Sequence, residues 1–160
     1  MKFLFSLKHY LYTGLREILI YHHSSLEFRA KLFALIIAAN RNSADCEYTL
    51  VHQAGMQIYK DEQRVDMLVL TTREYVNKVH QKNGLNIDDL VADIQKELQQ
   101  IPRYADKIDI SLLHPIVECS IDEDTSTYQI RMLEFLQNLK EDYMKKNLWK
   151  SLFLSYTSLS

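Results

Sequence analysis

Apolar positions recur at three- and four-residue spacing along almost the whole chain, the periodicity of helices that bury one face. The most apolar stretch is Ser24–Tyr59, and the other elements are read as arranged around it. Leu26, Leu32, Phe33, Leu35, Ile36 and Ile37 follow a near-helical period, with Arg29 and Lys31 between them. From Phe33 to Ala39 nearly every face is apolar, which places this helix centrally. Ser24 and Glu27 have the spacing of a capping box, each side chain bonding the other's backbone amide. Asn40-Arg41-Asn42-Ser43 then makes a polar turn. Asn42 or Ser43 caps a second helix from Asp45 to Tyr59.

Upstream, residues 3 to 22 align Leu4, Leu7, Leu11, Leu15, Ile18 and Leu19 in one stripe, widened by Phe5, Tyr10, Tyr12 and Tyr21. Such a stripe packs on a core or lies at a membrane surface. Downstream, Lys60-Asp61 breaks the chain. The next helix turns Val65, Leu68, Val69, Thr72, Val76 and Val79 inward, pairs Glu74 with Lys78 on its outer face and ends at Asn83-Gly84. Asn86 caps another, lined by Ile87, Leu90, Val91, Ile94, Leu98 and Ile101 and stopped by Pro102. Residues 103 to 108 read as a connector. Asp109 caps a short helix containing Leu112, Leu113, Ile116 and Val117, and Pro115 must occupy its first turn or kink it.

Asp122-Glu123-Asp124-Thr125-Ser126 is an acidic turn before a last helix, Thr127 to Lys146, with Ile130, Leu133, Leu136 and Leu139 as its core stripe. Residues 147–160 form an apolar tail in which Leu148, Trp149, Leu152, Phe153, Leu154 and Tyr156 crowd the chain end. They fold back on the bundle or dock onto something else. An echo at an offset of eighty sets Ile36-Ile37 against Ile116-Val117, Tyr48 against Tyr128 and Leu50 against Ile130. It is read as chance or as an old duplication.

These elements predict an all-α fold: a single-domain helical bundle over residues 1–160, of about six to seven helices built from helix–turn–helix units. Three glycines and two prolines leave little material for the turns of a sandwich or barrel. A net charge of −2 excludes a general nucleic-acid binder. No run approaches the ~18 apolar residues of a membrane span. The apolar N-terminal run is broken by Lys8, His9, Arg16 and Glu17, unlike a signal peptide. Cys46 and Cys119 are too few for a disulfide framework and sit in no CxxC motif, so a reduced, cytoplasmic setting is expected.

Catalytic signatures are missing from the sequence. No Gly-x-Ser-x-Gly elbow occurs, Gly14, Gly55 and Gly84 are isolated, and no His-x-x-x-His pair exists among six histidines. Cys46 lies near a helix start but is read as an unreactive turn residue. Asp122, Asp124 and Ser126 have the one-three-five spacing of a calcium loop. The sixth and twelfth places hold Thr127 and Leu133 instead of glycine and glutamate, so helix capping is the first reading.

The stretch LFALIIAANRNSADCEYTLVHQAGMQIY resembles the helix–turn–helix unit of the TerB-like (tellurite-resistance-associated) family. That family is all-helical and cytoplasmic, and its turns carry acidic residues proposed to bind a divalent cation. Its pattern is an alanine-rich helix, Asp-Gly, then glutamate seven residues beyond the aspartate. Ala38-Ala39 and Glu47 match it, while Asn40 stands for the aspartate and Arg41 for the glycine. In the second half Asp122 matches, with Glu123 and Gln129 replacing glycine and glutamate. This register sets Asn40 opposite Asp122, at odds with the eighty-residue echo.

The expected function is a non-catalytic, cytoplasmic protein–protein interaction module that needs no cofactor and meets a protein partner or a second copy through Tyr10, Tyr12, Trp149, Leu152 and Phe153. The alternative implied by the resemblance is a stress-response protein holding Ca2+ or Mg2+ on Asp122, Asp124, Asp45 and Glu47. A second alternative is an export-type chaperone or co-chaperone.

Overall fold

The computed structural model describes residues 24–157 apart from 44, 82 and 83, with side chains from 25 to 155. The expected helix over residues 3 to 22 lies outside this range, as does the side chain of Ser24. The described residues form helices and the turns between them, with no strand among them. The helices are α1 (Ser24–Ala38), α2 (Asp45–Tyr59), α3 (Glu62–His80), α4 (Ile87–Gln100), a short α5 (Ile110–Leu113) and α6 (Glu123–Thr157). Two 3-10 segments, Pro102–Lys107 and His114–Cys119, link them.

As its apolar faces require, α1 runs through the middle of the bundle. Leu26, Phe28, Ala30 and every residue from Leu32 to Ala38 are buried. It packs against α3, α4, α6 and both 3-10 segments. α2 lies mainly on α3, and the two approach closely at Gly55, where an added Cβ would come within 3.0 Å of Val65. α3 and α4 bury the stripes read from their periodicity. Asn86 and Asp89 form a reciprocal capping box at the start of α4, and Asp109 caps α5. Residues 103–108, expected as a connector, are part of the core. Tyr104, Ala105 and Ile108 are buried, with the Tyr104 ring 5.0 Å from that of Phe28. A 3-10 turn can present side chains inward without showing the 3.6-residue period.

Three corrections concern α6 and the cysteines. α6 starts at Glu123, four residues early, because Asp122 accepts from both the amide and the hydroxyl of Thr125, at 2.9 and 2.7 Å. It then continues through the tail as one helix of 35 residues, about 52 Å long. Ile130 is 42% exposed, and the buried residue on that turn is Gln129. Its amide donates to the Ile36 carbonyl at 3.0 Å and its oxygen accepts from Ser120 at 2.8 Å. The last carbonyls of a helix have no partner of their own. At the end of α1 they are met by Gln129 at Ile36, the Asn40 amide at Ile37 and His80 at Ala38. Gln129→Leu should therefore lower stability by about 1–3 kcal/mol in calorimetry. An unchanged melting temperature would mean that the Ile36 carbonyl does not need this donor.

Cys46 and Cys119 are not reduced but joined in a disulfide, with Cα atoms 6.0 Å apart across 73 residues of sequence. The bond ties the first turn of α2 to the end of the second 3-10 segment. Spacing along the chain could not show it, because the two sites meet only through the packing of α1, α2 and the 114–119 segment.

Candidate docking surface

α6 runs antiparallel to α1. Gln129 meets Ile36 near one end, and Asn147 donates to the Pro102 carbonyl at 3.4 Å near the other. On α6, Leu133 and Leu136 are buried, and Met132, Phe135, Leu139 and Tyr143 are partly so. Past Asn147 the helix keeps its course, and its large apolar side chains become exposed. Leu148 is 62%, Trp149 73% and Leu152 55% exposed, with Phe153 and Leu154 exposed as well. At 100° per residue, Leu148, Trp149 and Leu152 lie about 120–160° round the helix from the edge marked by Tyr143 and Asn147. The apolar arc thus points away from the body. Soluble proteins seldom expose contiguous apolar patches of this kind without a use for them.

Of the five residues expected to meet a partner, Trp149, Leu152 and Phe153 share this stretch of α6. Tyr10 and Tyr12 lie outside the described residues. Several of the described tyrosines face cations: Arg29 and Arg64 approach the Tyr59 ring, and Arg73 lies 4.2 Å from the Tyr48 centroid.

The root of this exposed stretch is basic. Pro102–Lys107 packs along α6 there, and burial holds the Lys107 ammonium below its usual range, helped by the positive charges of Arg29 and Arg103. Asp106 offsets this in part. Lys146 stands 5.2 Å from the Tyr143 ring on the same stretch of helix.

The acidic residues proposed for a cation are placed differently. Glu47 is fully buried and accepts from Asn40 at 3.0 Å, while the Asn40 oxygen accepts from the Asn42 amide. Asp122 caps α6, and its hydrogen bonds from Thr125 hold its carboxyl below the usual range. Asp45 and Asp124 are exposed in first turns, where their charge opposes the helix dipole. Among the described residues, no group of three or more His, Cys, Asp or Glu side chains is placed to hold a metal ion.

Sequence reasoning passed over a buried polar cluster. Lys31, 7% exposed on α1, donates to Glu97 of α4 at 2.5 Å and lies 3.7 Å from Asp93. Tyr75 of α3 flanks it and donates to Glu27. Burial pushes the Glu97 carboxyl up despite the opposing pull of Lys31, and burial and Glu27 push the Tyr75 hydroxyl up. A lysine just before the all-apolar stretch of a helix read as central was the available signal, since a buried charge needs a partner. The cluster ties α1, α3 and α4 together.

A cleft of about 900 Å3 opens at the other end of the bundle, between Ala38, His80, Asn86 and Tyr128. His80 and Asp89 on its wall are committed to the α1 and α4 termini. No helix among the described residues is long and apolar enough to cross a membrane. No protein family, curated protein or solved structure matches this chain.

Proposed function

We propose that this chain is a non-catalytic interaction module: a helical body that holds out the C-terminal part of α6 as its docking element. The observation that carries this reading is the arc of Leu148, Trp149 and Leu152, continuous with a packed helix yet turned away from the body. A helix end kept only for stability would turn that arc toward the core. The non-catalytic part is supported by the use made of buried polar groups. Lys31, Glu97, Gln129 and Glu47 each join one part of the fold to another.

The disulfide weighs against the cytoplasmic setting expected from two isolated cysteines. It supports an oxidising compartment, where such bonds persist.

Removing residues 148–160 tests the reading. The body should melt within about 2 °C of the full chain, as for a surface change. A drop of ten degrees or more would make the segment part of the core and end the docking proposal.

A further inference from the structure

The charge of the chain is divided unevenly. Residues 24–142 carry 13 basic and 20 acidic side chains, whereas residues 143–160 carry Lys145, Lys146 and Lys150 and no acid. α1 begins near the 102–107 segment, at the end of the body where α6 leaves it. Arg29, Arg103 and Lys107 cluster there too. An acidic body thus has one basic, apolar end.

Three occupants would suit the bare arc of α6 to different degrees. A second copy laid against it in the same way would bring like charges together, three lysines on each side with no acid to meet them. Nucleic acid would satisfy the lysines but leave Met144, Leu148 and Leu152 unused. An anionic bilayer surface uses both. Leucine and tryptophan enter the boundary between headgroups and acyl chains, while lysines reach back to the phosphates.

We infer that Met144–Thr157 is an interfacial anchor, whose Met144, Leu148, Trp149 and Leu152 enter an anionic phospholipid surface while Lys145, Lys146 and Lys150 engage its headgroups. The inference rests on the docking reading and names its occupant. The helix lies along the membrane plane. Preformed helix at the root lowers the ordering cost of insertion, because α6 is already nucleated by its packing on the body.

Trp149 is the only tryptophan, so its emission reports the arc directly. The disulfide-intact full chain is mixed with vesicles of phosphatidylcholine alone, or of equal parts phosphatidylcholine and phosphatidylglycerol. A blue shift and co-flotation are expected with the anionic vesicles only, weakening as salt is raised. Replacing Lys145, Lys146 and Lys150 together by Gln should reduce that affinity about 100-fold. Leu148→Gln with Leu152→Gln should abolish the shift while the melting of the body stays unchanged.

No shift with either vesicle, or an equal shift with both, overturns the inference. Blue emission without lipid also overturns it: concentration-dependent emission assigns the arc to a second copy, and emission blue in dilute monomer assigns it to the chain's own remaining residues. Failure with lipid, while loss of residues 148–160 leaves the body stable, removes the membrane and keeps a protein partner. If that deletion unfolds the body, both readings fall.

Discussion

Reducing the Cys46–Cys119 bond should lower the melting temperature by about 10 °C, one of the two largest effects expected of a local change in this protein. The bond closes 73 residues of sequence, which include all of α3, α4 and α5. Cross-linking a loop of that length removes enough freedom from the unfolded chain to stabilise the fold by about 4 kcal/mol. For a chain of this size each kcal/mol shifts melting by about 2–4 °C. Cys46 is exposed, so a soluble reductant reaches the bond without prior unfolding. Calorimetry with and without dithiothreitol measures the effect. The Cys46→Ala, Cys119→Ala double variant should match the reduced protein and no longer respond to reductant. Equal melting of all three forms would show that the bond adds nothing to stability.

What the sequence made legible follows from the range of the interactions. α1, α3 and α4 declare themselves through periodic apolar residues and local caps such as Asn86, which involve neighbours in sequence. The tail was legible as apolar, and Trp149, Leu152 and Phe153 do stand exposed together. Its continuity with α6 was not, because Lys145, Lys146 and Asn147 look like a helix end while nothing in them breaks one. Ile130 was preferred to Gln129 because periodicity ranks residues by apolarity. A buried amide is stabilised by the Ile36 carbonyl, 93 residues away. The disulfide and the Lys31 cluster were hidden for the same reason, since each partner comes from another helix.

The second large effect belongs to Lys31. Lys31→Met should cost about 3 kcal/mol, because it leaves the half-buried Glu97 carboxylate without its hydrogen-bonded cation. Methionine nearly fills the lysine stem's volume, so the loss reports charge rather than a cavity. Adding Glu97→Leu should recover most of it, since an apolar pair of similar size is often as stable as a buried ion pair. The pH dependence separates this account from simple packing loss. Burial already holds the Glu97 pKa above its unfolded value, so the folded chain binds that proton more readily than the unfolded one. Stability contributed by this group therefore rises as pH falls through the folded pKa. Without Lys31 the folded pKa climbs further, and the deficit of Lys31→Met should shrink as pH falls from neutrality toward the ordinary carboxylate range. Chemical denaturation across that range measures it. A deficit constant with pH, or no recovery in the double variant, would mean that Lys31 acts through its hydrocarbon stem alone.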